Sequence, residues 1–390
     1  MQRIAHILHR PREDRGVALV LALVFVVLLA AIVTEFAYTI QVDATLIGRN
    51  TAETEAYLAA RSAIALSESV LAADLIIGED EARQNQTGVY DSLDEPWASA
   101  TPVVKYNDVM VAIQITDEYG KINLNALIYE DQSGQEVEYE PLVEAVRFLF
   151  EERSSDADPT DAILDWLDAD DDARPNGFER DYYEKLNPPI AIKNGPMDSL
   201  EELLLIPGVS QEIYFAEFEE KLDPPLAPFS DLFTVHGHPE GRVNVNTASV
   251  DVLDAMFSAV SASGISLSVS ADQIVQRREE TGPYTSREEL RSEGLLPALN
   301  PNNNGGVPQQ QQQEENSDGG QPGPVAEQRP ELFDVKSSVF RIQGESQNGD
   351  TSVSVEAYVW RDTPQEDAAG QSAASGAAQI FRVINWRILS

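Results

Sequence analysis

The order of hydrophobic and polar positions predicts one long helix at the start of the chain. An unbroken apolar run of 17 residues extends from Val17 to Val33. As a helix it would be about 25 Å long, the short end of a bilayer crossing. Residues 34–75 contain no proline and many alanines, so the helix is predicted to continue beyond the membrane. Its apolar face for packing onto a globular domain consists of Phe36, Ile40, Ile47, Leu58 and Leu71.

Strand patterns occur on both sides of a long helical segment. Alternation of apolar and polar residues predicts strands at 109–116, 121–125, 339–343, 351–360 and 380–388. Between these strands, residues 140–298 are acidic and have a helical pattern. Residues 300–330 and 363–378 are of low complexity and are predicted to form loops. The fold class is therefore α+β: a long N-terminal helix on an antiparallel β-sheet, with an α-helical domain inserted in the sheet.

The inserted segment contains an internal repeat. The pattern G-P-x-x-S-x-E-E-L occurs at 195–203 and again at 282–290, and each copy follows an N-x-N motif, at 123–125 and 244–246. Ser followed three residues later by Glu is a capping box, which predicts helices that start at Ser199 and Ser286. Such helical pairs resemble helix-hairpin-helix or SAM-like modules, which often bind DNA.

The charge balance favours a scaffold over a DNA-binding module. The 390 residues include 27 Lys and Arg against 66 Asp and Glu, a formal net charge of −39. Such a surface repels phosphate backbones and suits divalent cations or basic partners. Arg277 and Arg278 are the only basic pair near the repeat.

The residue inventory also gives no support for catalysis. The chain has no cysteine and four histidines, of which only His236 and His238 lie close together beyond the leader. Disulfides, thiolate metal sites and cysteine nucleophiles are thereby excluded, and a catalytic zinc site lacks a third ligand. No G-x-S-x-G, P-loop or G-x-G-x-x-G motif is present.

An acidic loop between residues 165 and 181 is the one constellation with metal chemistry. Its carboxylates repel each other unless a cation neutralises them, and hard oxygen ligands in a flexible loop suit Ca²⁺. Four of them match positions 1, 3, 5 and 12 of an EF-hand, namely Asp168, Asp170, Asp172 and Glu179. Ala173 in place of the required glycine, and Pro175 inside the loop, exclude an EF-hand. The hypotheses that remain are a Ca²⁺ loop of another geometry, pinned to the core by its aromatic flanks, and a solvated acidic loop.

The N-terminus allows three interpretations. The arginine-rich leader ends in Gly16, directly before the apolar run, and should stay in the cytoplasm, which places the residues after Thr34 across the membrane. The segment is a secretory signal cut near Ala31, an uncleaved anchor, or a pilin-type leader cut between Gly16 and Val17.

Taken together, these motifs resemble the K-type minor pseudopilins of type II secretion systems over nearly the whole chain. The resemblance rests on five segments, which are RGVALV at 15–20, ILDWLDAD at 163–170, GFERDYY at 177–183, NGP with EEL at 194–203, and VNVNTA at 243–248. Most pilin-like subunits carry Glu five residues into the mature chain. This chain has Leu21 there, as is characteristic of the K family.

The resemblance implies a pilin-like fold and a structural, non-enzymatic tip subunit. It implies that a prepilin peptidase cuts after Gly16 and methylates Val17. It also implies three further partners, which are the I-type and J-type minor pseudopilins and the inner-membrane assembly platform. It implies a single-pass protein of the bacterial inner membrane with its C-terminal domain in the periplasm. Nucleic acid is not expected as a partner. It also implies Ca²⁺ binding, with the ligand set Asp168, Asp170, Asp172, Glu179 and Asp181. The alternatives are a minor pilin of a type IV pilus, a DNA-uptake pseudopilin and, least supported, an anchored hydrolase.

The predicted organisation has seven parts. They are the leader 1–16, the membrane segment 17–33, the periplasmic helix 34–75, the first part of the sheet 76–125, the inserted domain 126–298, the disordered loop 299–330 and the C-terminal strands 331–390.

Overall fold

The computed structural model describes most of the chain. The described residues are 14–85, 88–99, 103–106, 109–131, 133–151, 158–216, 226–262, 267–296, 331–362 and 381–389. Residues 1–13 of the leader and the predicted loops at 300–330 and 363–378 lie outside the described residues.

One helix, α1 (Asp14–Asn85), accounts for the N-terminal fifth of the molecule. Its 72 residues correspond to a length of about 108 Å at 1.5 Å per residue. Residues 16–51 are exposed throughout, and the following part lies on a sheet. Small and aliphatic residues recur along the face against that sheet, namely Ala56, Ala60, Ala63, Ser67 and Leu71. The predicted helix is confirmed and continues ten residues past residue 75, because the next proline is Pro96. The predicted packing face was wrong except for Leu71, since Phe36, Ile40, Ile47 and Leu58 are exposed.

Five antiparallel strands form the sheet beneath α1. The strands in chain order are β1 Val104–Tyr106, β2 Val109–Asp117, β3 Ile122–Asn123, β4 Ile128–Glu130, β5 Glu136–Glu138, β6 Phe233–Thr234, β7 Val243–Asn244, β8 Phe333–Asp334, β9 Val339–Asn348, β10 Thr351–Arg361 and β11 Phe381–Leu389. The order within the sheet is β1-β2-β9-β10-β11. The predicted strands at 109–116, 339–343, 351–360 and 380–388 are confirmed as β2, β9, β10 and β11. A sheet this large gives α1 a continuous surface on which to pack.

Helix α1 approaches the sheet closely over β9. At Gly344 a Cβ atom would lie 2.9 Å from the carbonyl oxygen of Ala60 and 3.1 Å from the Cβ of Ala63. Two residues further along β9, Ser346 Oγ donates a hydrogen bond of 2.7 Å to the Ala56 carbonyl oxygen. The small residues on both elements therefore set the distance between helix and sheet.

The chain between β2 and β9 forms a second unit with its own hydrophobic core. Because β2 and β9 are neighbours, this unit enters and leaves the sheet between adjacent strands. Its helices are α2 Glu140–Glu151, α3 Thr160–Leu167, α4 Arg180–Tyr183, α5 Gln211–Phe215, α6 Phe229–Leu232, α7 Val250–Ala262, α8 Ala271–Thr281 and α9 Arg287–Ser292. The predicted insertion of a helical domain into the sheet is confirmed in this arrangement.

The two copies of the repeat use the same hydrogen bonds. In the first copy, Asn125 Oδ1 accepts from the Met197 N–H at 2.8 Å, and its Nδ2 donates to the Met197 carbonyl oxygen at 2.9 Å. In the second, Asn246 does the same with Tyr284, at 2.8 and 2.9 Å. Met197 and Tyr284 each follow the Gly-Pro of their motif. The second Asn of each N-x-N motif thus ties the start of its repeat to its end.

Two local predictions are corrected. Residues 121–125 were predicted as a strand of the sheet, but only Ile122–Asn123 is a strand, and it pairs in parallel with β6. The reason is that the side chains of Asn123 and Asn125 are used for local turns and for distant backbone groups, which a sheet edge could not satisfy. The helix that begins after Ser199 has its capping box but is a 3₁₀ helix, Leu200–Leu205.

Candidate metal site

The acidic loop lies between α3 and α4, and aromatic residues hold both of its ends. Trp166 in α3 and Tyr183 in α4 are buried, and their ring centroids lie 5.4 Å apart. The prediction that the flanks pin the loop to the core holds for these residues, whereas Tyr182 is 37% exposed. This contact holds the two ends of the loop together, so that carboxylates from both ends meet.

Three buried carboxylates meet at this point: Asp165, Asp168 and Glu179, which we name the carboxylate triad. One oxygen from each lies within 4.8 Å of the others. Asp165 lies in the last turn of α3, and Asp168 follows directly after the helix, so that an i, i+3 spacing puts both on one side. Glu179 comes from the opposite end of the loop, immediately before α4.

Several triad oxygens have no hydrogen-bond partner among the described residues. They are Oδ1 of Asp168 and both carboxylate oxygens of Glu179. The backbone N–H of Arg180 lies near Glu179 and favours its charged form. Burial, with the neighbouring carboxylates, raises the pKa of Glu179 to about 7. Burial likewise raises the pKa of Asp168 to about 6, against the opposing effect of Arg174. Buried and unsatisfied anionic oxygens are costly, so the triad is arranged for a positive charge.

Gly177 lets the loop backbone pass directly over Asp165. A Cβ at this position would lie 1.8 Å from Asp165 Oδ2 and 2.6 Å from its Cγ. The Gly177 N–H donates to the Arg174 carbonyl oxygen at 3.0 Å, which holds the tight turn. Only glycine fits between this turn and the buried carboxylate.

Arg174 supplies the only side-chain cation bonded to the triad within the described segments. Its Nη1 donates to Asp165 Oδ1 at 2.7 Å and also to Asp168 Oδ2. Its other edge donates to Glu138 Oε1 in β5, from Nε at 2.9 Å and from Nη2 at 2.8 Å. One positive charge therefore lies among four carboxylates.

The structure brings together only part of the predicted ligand set. Asp168 and Glu179 belong to the triad. Asp170 and Asp172 lie on the exposed outer side of the loop, where Asp170 Oδ1 accepts from the Asp172 N–H at 2.8 Å. The side chain of Asp181 is 95% exposed and 3.9 Å from Lys185. Sequence reasoning missed Asp165, although its spacing of three residues from Asp168 at a helix end was a signal for it.

A second group of carboxylates surrounds Arg361. Asp74 of α1, Asp91 and Glu95 place one oxygen each within 4.8 Å of one another. Arg361 donates to Asp91 and, at 3.4 Å, to Asp74. Burial raises the pKa of Glu95 to about 7, with Asp74 adding to the effect. Because the guanidinium of Arg361 already lies among these carboxylates, we interpret the group as a structural ion-pair cluster that joins α1 to β10.

The two histidines of the inserted unit do not form a metal site with carboxylates in the described part of the chain. The ring of His236 lies on Tyr358, with centroids 4.4 Å apart. His238 Nδ1 accepts the Glu240 N–H at 3.0 Å. Burial lowers the pKa of both imidazoles, which fits neutral, packed side chains.

The exposed half of α1 is the one helix of the described residues that is long and apolar enough to span a membrane. The Gly16–Val17 bond lies in this exposed half, and the Val17 side chain is 62% exposed. Further along, an apolar groove of about 550 Å³ opens between α1 and the edge of the sheet. Its apolar lining comes mainly from Leu58, Leu66, Val104, Val109 and Val111.

Comparison with known proteins connects these features to one family. A family model described as type II secretion system (T2SS), protein K matches residues 120–216, a range that contains the whole triad. Type II secretion system protein K of Aeromonas hydrophila is 30% identical over 212 residues, 52% of this chain and 61% of that protein. The protein of that name from Klebsiella pneumoniae is 28% identical over 273 residues, 69% of this chain and 77% of that protein. The match therefore spans about three fifths of the Aeromonas relative.

A solved structure has the same fold. It is a chain of the GspK-GspI-GspJ complex of the type 2 secretion system from enterotoxigenic Escherichia coli. The TM-score is 0.57 at 16% identity, over 86% of this chain and 96% of that one. The long helix, the sheet and the inserted helical unit are thus a known arrangement.

Proposed function

We propose that the chain belongs to the type II secretion system protein K family, whose members it resembles, and that it is a minor pseudopilin at the tip of the periplasmic pseudopilus. There it helps to start assembly of the fibre and acts as a structural subunit without catalytic activity. The observation that carries this proposal is the form of α1. One half is apolar and exposed, as a membrane or fibre core requires, and the other half is packed on an antiparallel sheet.

The position of the inserted unit supports a place at the tip. Residues 118–338 leave and re-enter the sheet between β2 and β9, and add a second domain beside the pilin-like part. Such a volume would collide with neighbours if it recurred along a tight helical fibre. Leu21 supports the same position, because it cannot neutralise the terminal ammonium of a neighbouring subunit inside the apolar fibre core.

Processing would precede assembly. In this proposal a prepilin peptidase cuts between Gly16 and Val17 and methylates the new amine, and the basic leader stays in the cytoplasm. The domain after residue 34 then lies in the periplasm, with α1 anchored in the inner membrane. The mass of the N-terminal peptide from native membranes tests this step, and an intact Met1 or a cut near Ala31 would contradict it.

The partners in this proposal are I-type and J-type minor pseudopilins. The solved relative is a chain of a GspK-GspI-GspJ complex. On the present chain, Phe36, Ile47 and Leu58 are exposed and recur every 11 residues, close to three helical turns, so they share one side of α1. These residues extend from the membrane segment of α1 towards the apolar groove that Leu66 lines. The N-terminal helix of a partner subunit in the same membrane could pack along them.

Co-purification tests the assembly. The full chain is co-expressed with the I-type and J-type subunits of its host and isolated in detergent through a tag on this chain. A ternary complex is expected. The double variant Leu58→Arg and Leu66→Arg should lose most of the partner protein, because it places two charges on the apolar surface. Met110→Arg is the matched control, since Met110 is 44% exposed on the opposite face of the sheet. Equal recovery from all three proteins would contradict this docking surface.

The DNA-uptake alternative has no supporting observation in the repeat. Arg278 Nη1 donates to the carbonyl oxygens of Val245 and Ala248, at 2.8 Å each. Arg277 donates to the Gly282 carbonyl oxygen at 2.7 Å and lies on the ring of Tyr284. Both guanidinium groups therefore serve the fold.

We also propose that the carboxylate triad binds Ca²⁺ as a structural ion. The residues fit such an ion because they offer hard oxygen donors, and three of these oxygens are buried without partners. Asp165, Asp168 and Glu179 would be its protein ligands. The ion would supply the charge that lets both ends of the loop stay in the core.

Thermal unfolding of the full chain in detergent tests the ion. Excess Ca²⁺ should raise the unfolding temperature relative to chelator, since an ion at 100 times its Kd adds about 2.7 kcal/mol. Asp168→Asn should abolish most of the shift. Asp172→Asn, which changes an exposed carboxylate of the same loop, should retain it. Identical curves with Ca²⁺ and chelator for the unmodified chain would contradict Ca²⁺ binding.

A further inference from the structure

The guanidinium of Arg174 lies against two of the three carboxylates that would bind a cation. Its Nη1 reaches both Asp165 and Asp168, two of the three triad members. The Arg174 backbone N–H also points at the Asp165 carboxylate, 3.3 Å from Oδ1 and 3.2 Å from Oδ2. The side chain is 20% exposed, so the guanidinium is largely withdrawn from water while it makes these contacts.

The oxygens of the triad fall into two groups. Asp165 Oδ1 and Asp168 Oδ2 accept from Arg174, whereas Asp168 Oδ1 and both oxygens of Glu179 have no partner in the described part of the chain. When all three carboxylates are ionised, as they are as ligands of a cation, they carry three negative charges, and the guanidinium offsets one of them. An ion bound by all three carboxylates must draw on Asp165, whose two oxygens both already accept from Arg174, Oδ1 from the guanidinium and both from the backbone N–H. Ca²⁺ draws its ligands to about 2.3–2.6 Å, so it competes with these hydrogen bonds.

We infer that Arg174 is the built-in counter-charge of the metal-free site and competes with the divalent cation for Asp165 and Asp168. This inference rests on the proposed binding of Ca²⁺ by the triad. Arg174 holds the loop together when no ion is present, and it lowers the affinity for the ion that replaces it. The site therefore exchanges one cation for another and is not empty in the metal-free protein.

Glu138 makes this exchange possible. It binds Arg174 through Nε and Nη2, on the edge of the guanidinium that faces away from the triad. Nη1 can therefore leave Asp165 and Asp168 while the pair with Glu138 persists. Glu138 lies in β5 with its side chain 39% exposed, so the displaced guanidinium moves towards solvent. Once the ion is bound, Arg174 and Glu138 form a neutral pair and the triad keeps one net negative charge.

Calorimetric titration of Ca²⁺ into the full chain in detergent tests the competition. Arg174→Gln should lower the Kd by about tenfold or more, because no internal cation then has to be displaced. In chelator the same variant should unfold at a lower temperature than the unmodified chain. Arg180→Gln is the matched control: Arg180 lies in the same region, and its partner is the exposed Asp171. It should change the Kd by less than about twofold.

The outcomes separate this inference from the proposed ion site. If the unmodified chain binds Ca²⁺ and Arg174→Gln binds it equally or more weakly, the competition is wrong and the ion site stands. If neither protein binds Ca²⁺, both ideas fall, whereas the tip assignment is tested independently by co-purification. Should Arg174→Gln not fold, Glu138→Gln is measured instead. Freed from Glu138, Arg174 should hold the triad more strongly and weaken Ca²⁺ binding several-fold. An unchanged Kd would overturn the inference.

Discussion

Substitution of Gly177 by alanine should disable the carboxylate triad without altering any of its carboxylates. The new Cβ would lie 1.8 Å from Asp165 Oδ2, whereas unbonded atoms of this kind stay at least 3.0 Å apart. The carboxylate or the loop must therefore shift by about 1.2 Å. Ca²⁺ accepts oxygen ligands only between about 2.3 and 2.6 Å, so a shift of this size removes Asp165 from the ligand set.

The cost to the fold should appear even without the ion. Asp165 is fully buried and is held by Arg174, so its side chain cannot rotate away freely. Overpacking of this kind costs about 1–3 kcal/mol of unfolding free energy. Denaturant unfolding in chelator measures that loss, and calorimetry with Ca²⁺ measures the loss of affinity. Gly195→Ala is the control, because a Cβ there meets nothing closer than 4.0 Å. A Gly177→Ala protein with unchanged stability and unchanged Kd would refute this reasoning.

Four further substitutions test other parts of the structure by denaturant unfolding. Gly344→Ala should destabilise the chain by about 1–3 kcal/mol, because its Cβ meets the Ala60 carbonyl oxygen. Gly78→Ala in α1 should stabilise it by about 0.5–1 kcal/mol, because its Cβ meets only Val89, at an ordinary contact distance of 3.8 Å. A Gly344→Ala protein as stable as the parent would contradict the close approach of α1. Glu95→Gln should flatten the pH dependence of stability between about pH 5 and 8. The folded pKa of Glu95, about 7, lies above its unfolded value, so its contribution is present at low pH and is lost as the pH rises through 7. Parallel pH profiles for variant and parent would argue against this assignment. Asn246→Ala should cost about 1–3 kcal/mol by leaving buried backbone groups unpaired, and a loss below 0.5 kcal/mol would count against that role.

Local periodicity carried most of the fold prediction. Strands β2, β9, β10 and β11 were found because their sequences carry strand patterns, and in β2 buried positions alternate with more exposed ones along the whole strand. Helix α1 was found because nothing interrupts it, and its end was misplaced because Gly78 and the acidic residues after residue 75 are compatible with a helix. The strand predicted at 121–125 was largely wrong because its asparagines bond to groups more than 70 residues away, which no local pattern shows.

The candidate site was predictable only in part. The acidic loop and its aromatic flanks identified the region, and Asp168 and Glu179 were selected from it. An EF-hand spacing also selected Asp170 and Asp172, which face outwards, because a periodicity of two does not describe a loop that turns at Gly177. Asp165 was not among the predicted ligands, and only its burial in the last turn of α3 shows that its carboxylate joins Asp168 and Glu179.

The sequence by itself determined the elements of this protein: the membrane-length apolar run, the alternating strands, the duplicated motif and the acidic loop. Each of these elements depends on residues that are close together in the sequence, so the local pattern is enough to predict it. The tertiary structure alone decided which charges meet. Arg174 reaches Glu138 across 36 residues, and Arg361 reaches Asp74 across 287. Such pairs depend on how helices and strands are stacked, because burial and distance, and not residue type, determine whether a carboxylate is solvated, paired or left for an ion.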